Sequence, residues 1–490
     1  MNLIRICSLA SIVFLTISLP SASAQDSSKI EAKLDTIIQK LDTNQGTLNE
    51  VAKAVKKEGS PAAESTPAEP ASAAVKADID TVQVNLNVVW MVVAGALVFM
   101  MQAGFAMVEL GFARAKNSIN IIMKNFLDFC ISALVFMFLG FGLMFGTSAS
   151  GWIGTDGFWL ANHAANDSMW AFWFFQVVFA GTACTIVSGA MAERTKFVGY
   201  LVYAGLLAGV VYPLGGHWAW GSFGGGFGIG GEKGWLEAMG FVDFAGSTVV
   251  HGCGGACALA GILVVGARHG RFAKDGTPRL IAGHNIPLAA LGVFILWFGW
   301  FGFNAGSTLI GDGSIGRIVV NTTIAPAAGA LAAMISMWFV QGRPDVGITL
   351  NGALGGLVGI TACCANISPA SALVVGLIAG IITTVATIAL ERMQIDDAVG
   401  AVPVHLVNGW WGTLSVALFD QGGFDAQKLG VQALGTFSIT LTSFIICFVI
   451  FKTVDLLVGL RATDNEQIDG LDFSEHAANA YPDFQTTEQA

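Results

Sequence analysis

The chain has 490 residues, of which 54% are hydrophobic and 12% charged, where soluble globular chains carry roughly 25% charged residues. The net charge of −10 is not spread evenly: residues 1–83 contribute −2, residues 84–461 contribute −1 and residues 462–490 contribute −7. No basic segment is dense enough to neutralise phosphates, so a nucleic-acid partner is excluded, and so is an ordinary soluble core. A polytopic membrane protein with a short polar head and an acidic tail fits this composition.

Residues 1–24 have the layout of a cleavable signal peptide. Arg5 gives the positive start, Leu9 to Leu19 the apolar stretch, and Ala22-Ser23-Ala24 the small-residue cleavage site. An uncleaved anchor is the alternative. Within residues 25–58, Ile30, Leu34, Ile37, Leu41, Asn44, Leu48, Val51 and Val55 alternate spacings of four and three. That is a coiled-coil seam with one polar position. A helix lying on the membrane is the alternative, but its charges are mixed rather than basic. Residues 59–83, rich at first in Pro, Ala, Ser and Glu, are expected to form a flexible linker.

Eleven apolar runs then follow within 84–460, at roughly 86–112, 118–146, 168–192, 197–218, 243–267, 283–306, 318–339, 346–364, 368–390, 397–419 and 431–459. A bilayer requires each backbone group to be paired internally, so these runs are expected to be helices. With the first run starting outside, thirteen Lys/Arg fall on inner loops and helix ends, from Arg114 to Arg461. Only Lys233, Arg317 and Lys428 fall outside. This bias predicts an exterior N-terminus and a cytoplasmic tail, residues 461–490.

Two segments match. Asp243 lies eight residues before His251 in the fifth run, and Asp397 lies eight before His405 in the tenth. Five runs separate them, so the two helices point in opposite directions, as in an inverted repeat of five plus five. Each Asp stands where it can cap free helix N–H groups or tune a site. Each His stands about two turns in, near mid-membrane, where an ionisable group points to function. Two neutral imidazoles can share a hydrogen bond and still offer an edge to a small polar permeant or to a proton. The cysteines lack the spacing of a zinc motif, so neither metal nor cofactor is expected. Aromatic groups gather at three outer helix ends: Phe179 in the third run, Trp220 after the fourth, and Phe303 with Ser307 after the sixth. Aromatic faces attract cations and a hydroxyl oxygen accepts hydrogen bonds. The interfacial aromatic belt is the alternative, and it is preferred for Trp218.

These residues resemble the ammonium transporter family (Amt/Mep/Rh) over roughly 84–481. The stretches that carry the resemblance include Gly111-Phe112-Ala113-Arg114-Ala115-Lys116-Asn117, Gly189-Ala190-Met191-Ala192-Glu193-Arg194, Asp243-Phe244-Ala245-Gly246-Ser247, His284-Asn285-Ile286-Pro287 and Phe301-Gly302-Phe303-Asn304-Ala305-Gly306-Ser307. The resemblance implies an all-α protein of eleven transmembrane helices, a homotrimer with one narrow pore per subunit and no enzymatic activity. It implies that His251 and His405 are twin pore histidines and that Phe179 and Phe303 form the gate. Phe179, Trp220 and Ser307 would recruit ammonium, with Asp243 as the buried carboxylate supporting that site and Asp397 its repeat-related counterpart. The substrate would be ammonium or ammonia, with methylammonium as an analogue. The location would be the inner membrane, and a PII signalling protein is the expected cytoplasmic partner. The sequence departs from the family at Pro403, at Leu406 and in a long Gly-rich loop between Trp220 and Asp243. An ammonium sensor and a neutral-gas channel of the Rh type remain as alternatives.

Overall fold

A computed structural model of the chain describes residues 69–161 and 167–482. The expected signal peptide and coiled coil lie outside the described residues, as does the tail beyond 482. The chain is built from α1 (Glu69–Phe112), α2 (Ala115–Phe145), α3 (Asp167–Ala190), α4 (Phe197–Phe227), α5 (Ser247–Val265) and α6 (Ile286–Gly306). It continues with α7 (Ser314–Gln341), α8 (Val346–Thr361), α9 (Pro369–Arg392), α10 (402–418) and α11 (Ala426–Val458). Each apolar run of the sequence thus has its helix. Among the described residues nine are long and apolar enough to cross a membrane by themselves. The other two, α8 and α10, are shorter. The first helix begins at Glu69, so the second half of the expected linker is helical.

Small residues decide how closely the helices approach. A methyl group at Gly329, Gly352, Gly356, Gly376 or Gly380 would collide with a neighbouring helix among α7, α8 and α9, which is how membrane helices pack without a hydrophobic driving force between them. The repeat-related α5 and α10 interlock in the same way. A Cβ at Gly255 would lie 2.8 Å from Leu406 Cα, and one at Gly409 would strike Ser247 O. Leu406 is accommodated because the residue facing it is Gly255.

At the outer end, the Gly-rich loop is ordered as a continuation of α4 over Gly221–Phe227 and a short turn of helix at Trp235–Ala238. Ser222 N–H donates to Glu237 Oε2 at 3.1 Å across that loop. Trp218 is not in an interfacial belt: it is 4% exposed. Its indole N–H donates to Trp152 O at 3.0 Å, and its ring meets Trp152 and Trp235 at 5.4 and 5.6 Å. Packing of Trp152 and Trp235 over the helix end buries what hydropathy alone places at the interface.

At the opposite face the loops are tied by a buried charge cluster. Arg114 donates to Glu193 from its backbone N and its Nε, at 2.5 and 2.8 Å. Arg268 grips Asp396 through Nε and Nη2, both at 2.9 Å, and reaches Glu193 at 3.4 Å. Arg194 Nη2 donates to Asp396 O at 2.5 Å. Burial would raise the Glu193 carboxyl, but Arg268 and the hydrogen-bonded Arg114 outweigh it and hold it below the usual carboxylate range. Burial opposes ionisation of Asp396 too, and the Arg268 and Arg194 guanidinium groups overcome it. The tail packs on this face as two short helices, α12 (Asp464–Asp469) and α13 (Leu471–His476). Asp472 Oδ1 accepts the Asn120 N–H at 2.8 Å, Asn117 Oδ1 accepts the Leu471 N–H at 3.0 Å, and Tyr481 meets His284 at 3.0 Å.

Candidate functional site

The two Asp-to-His segments fold alike. Asp243 Oδ1 accepts the N–H groups of Gly246 and Ser247, and Oδ2 those of Thr248 and Val249, all at 2.8–2.9 Å. Asp397 Oδ1 accepts from Gly400 and Ala401 and Oδ2 from Val402, at 2.7–3.0 Å. In both, a glycine three residues after the Asp turns the chain with positive φ, 109° at Gly246 and 84° at Gly400, a region costly for other residues. The carboxylates therefore satisfy orphan donors at the buried helix starts. The capping reading of these two residues is what the geometry displays directly.

Each capped start opens into a wide π-type turn, Ser247–Gly252 and Val402–Val407, which holds the histidine. Such turns are rare and concentrate at functional sites. Pro403, which has no N–H to give, lies in the second of them. It is not the sole cause of the widening, because the first turn contains no proline. Asn408 Nδ2 takes up the Pro403 carbonyl at 3.0 Å.

The turns bring the imidazoles together at the centre of the helix bundle. His251 Nδ1 and His405 Nδ1 are 3.1 Å apart, so one ring donates and the other accepts. The rings stack at 5.2 Å and 21°. His251 is fully buried, stacks on Trp300 at 5.0 Å and leaves Nε2 without a partner among the described residues. His405 faces Phe105 at 6.1 Å.

Above the histidines, Phe179 and Phe303 stack at 4.1 Å and 24°. Both are at most 1% exposed, and Phe303 is 5.3 Å from the His251 ring. Beyond them is a small cavity lined by Phe175, Gln176, Phe179, Trp220, Phe223, Phe244, Ser307 and Leu309. Trp220 donates its indole N–H to Asp243 O at 2.7 Å, so the same aspartate caps α5 and fixes the Trp220 ring. Ser307 donates to Phe303 O at 2.8 Å, which leaves its oxygen lone pairs as acceptors. Below His405 is a second small cavity, whose walls include Phe105, Glu109, Thr185, Asn351 and His405.

The structure thus brings six of the eight predicted residues into one column: Trp220, Ser307, Phe179, Phe303, His251 and His405. Asp243 and Asp397 stand beside it as helix caps. Phe175, Phe223 and Phe244 line the outer cavity without having been singled out, and Glu109 and Asn351 line the inner one. Phe244 belongs to the Asp243–Ser247 stretch, whereas Glu109 stands just before the Gly111–Asn117 stretch and outside it. Among the described residues no group of three or more His, Cys, Asp or Glu is placed to hold a metal.

The model of the Ammonium Transporter Family matches residues 89–481. Among curated proteins, the ammonium transporter Amt2 of Archaeoglobus fulgidus is 44% identical over 433 residues, 83% of this chain and 90% of that one. A putative ammonium transporter of Synechocystis is 42% identical over 403 residues, 80% of this chain and 88% of that one. Among solved structures, a protein described as a sensor Amt protein aligns with a TM-score of 0.78 at 41% identity, over 81% of this chain and 99% of that one. Mep2 of Candida albicans aligns with a TM-score of 0.70 at 27% identity, over 78% of this chain and 87% of that one. The chain belongs to the ammonium transporter family, a family of membrane transport proteins rather than enzymes.

Proposed function

We propose that this family member carries ammonium nitrogen across the membrane through the column between its two cavities. The observation that supports this best is the His251–His405 pair, with Nδ1 atoms 3.1 Å apart, lying directly beneath the stacked Phe179 and Phe303 rings. Ammonium is recruited in the outer cavity by the aromatic faces of Trp220 and Phe179 and by the Ser307 oxygen. It gives up a proton before the Phe pair, because an unpaired charge in a dry passage costs several kcal/mol. The neutral ammonia donates to and accepts from the outer edges of the imidazole pair. The proton crosses separately, which makes transport electrogenic.

The same reading places the N-terminus outside and the tail inside the inner membrane, following the Lys/Arg bias. It takes the functional unit as a homotrimer, and the tail face as the docking site for a PII protein. The test is ammonium-evoked current on the purified, reconstituted chain, together with proteoliposome flux, with methylammonium and potassium for comparison. Current with ammonium and methylammonium but not potassium is expected; no current and no flux would overturn the reading. A sensing role is the second reading, favoured by the likeness to the sensor Amt protein over 81% of this chain. It predicts that a strain lacking ammonium uptake is not rescued by this chain.

A further inference from the structure

Glu109 lies in the last turns of α1 and is 2% exposed. Its side chain lines the inner cavity that has His405 in its wall. Its two carboxylate oxygens are treated differently. Oε2 accepts from Asn125 Nδ2 at 2.9 Å and from Ser188 Oγ at 2.8 Å. Asn125 is itself fixed, because Thr185 Oγ1 donates to its Oδ1 at 2.8 Å. Oε1 has no partner among the described residues. The nearest cationic side chain on α2, Lys124, gives its Nζ to Thr195 O at 2.6 Å, and Asp128 on the same helix accepts the Tyr200 hydroxyl at 2.6 Å. Glu109 forms no ion pair among the described residues. Gly189 leaves the space beside it open: a Cβ there would lie 3.1 Å from Glu109 Cγ.

A carboxylate held through one oxygen at the wall of a cavity, with the other oxygen unspent, is costly to bury unless something is bound to it. A purely structural role would be served by an amide or a hydroxyl at lower desolvation cost. Asn125, Thr185 and Ser188 orient the group and neutralise nothing. The ligand that suits Oε1 is small, cationic and rich in N–H donors, and it must share a cavity with an imidazole.

We propose that Glu109 Oε1 is the acceptor of an inner ammonium-binding site, the last station of the permeant after His405. This rests on the transport reading and extends it. The carboxylate stabilises the cation that ammonia becomes once it meets water in the inner cavity, and so sets the concentration at which cytoplasmic ammonium occupies the exit.

The test uses the full-length chain in proteoliposomes, with ammonium chloride applied to each face in turn. Glu109→Gln keeps an oxygen for Asn125 and Ser188 and replaces the unspent oxygen by an amide. It is expected to raise the half-saturating ammonium concentration from the inner face by roughly ten- to a hundredfold, the worth of a hydrogen bond to a charged acceptor, and to leave the outer-face value unchanged. Glu109→Asp, which keeps the charge but withdraws it, is expected to fall between Glu109→Gln and the parent chain. Infrared difference spectra of the parent chain should show a carboxyl band moved by ammonium that is missing in Glu109→Gln. An unchanged inner-face concentration dependence in both variants would overturn the site. A parent chain with no ammonium flux would defeat the transport reading instead. The infrared measurement then decides the site alone, and carboxyl bands unmoved by ammonium in the parent chain would overturn it.

Discussion

Replacing Asp243 by Asn should weaken the protein about twice as much as the matching change at Asp397. The two carboxylates do the same work with different loads. Asp243 accepts four backbone N–H groups, two on each oxygen. Asp397 accepts three, two on Oδ1 and one on Oδ2. An Asn can leave its carbonyl oxygen where two donors converge, but its NH₂ then faces the remaining donors. Asp243→Asn strands two N–H groups and Asp397→Asn strands one. At about 1–3 kcal/mol per stranded buried donor, the expected losses are roughly 2–6 kcal/mol and roughly 1–3 kcal/mol. Asp243 is also the better buried, at 4% exposure, whereas Asp397 is half-buried. Thermal unfolding of the purified variants in detergent, followed by tryptophan fluorescence, measures the order. An Asp397→Asn variant as unstable as Asp243→Asn, or more so, would refute the capping argument. Because Trp220 hangs on the Asp243 carbonyl, Asp243→Asn should in addition raise the half-saturating ammonium concentration from outside, and Asp397→Asn should not.

Three further outcomes follow from the geometry. His405→Asp places a fixed acceptor beside His251 and should admit potassium current that the parent chain lacks; unchanged selectivity and flux in both His251→Asp and His405→Asp would remove the pair from the pathway. The Glu193 and Asp396 carboxyls sit below their ordinary values, so they contribute stability above about pH 4 that is lost as pH falls through the lowered values. Asp396→Asn should cost about 3–5 kcal/mol at neutral pH, because the buried Arg268 loses its two short contacts to a carboxylate and keeps only Glu193 at 3.4 Å, and a pH series of thermal unfolding should show a shallower acid decline than in the parent chain. Gly255→Ala should destabilise by about 1–3 kcal/mol or more, and Leu406→Gly should not rescue it, since the added methyl meets Leu406 Cα at 2.8 Å; full rescue, measured by size-exclusion profile and unfolding temperature, would show that only the side chain mattered.

The helices were legible because a bilayer leaves few alternatives to a long apolar run. The boundaries at α3 and α6 fall within a few residues of those expected. The site was legible where a polar group is expensive enough to stand out twice: Asp243 with His251, and Asp397 with His405, repeat a spacing that no packing requirement imposes. What was not legible depends on contacts between distant segments. The π-type turns leave no trace in hydropathy, since Val402 to Val407 are as apolar as an α-helix would be. Asp396 adjoins Asp397 in sequence, yet it faces Arg268 and Arg194 and belongs to another network. Trp218 was assigned to the interface because its loop cover, from Trp152 and Trp235, comes from elsewhere in the chain. Glu109 is a single acid in an apolar run, and only the cavity beside it distinguishes it from a buried capping or packing residue.

The separation of the paired histidines bears on how the protein is made. His251 and His405 are 154 residues apart, and each comes from a different five-helix repeat. At a synthesis rate of roughly 5–20 residues per second, the second arrives about ten to thirty seconds after the first. A nascent chain that has inserted only α1 to α5 carries one imidazole of the pair and one phenylalanine of the stack. The column of rings is complete only when α10 docks against α5 through Gly255 and Gly409, so the site is assembled late, after both halves of the repeat are in place.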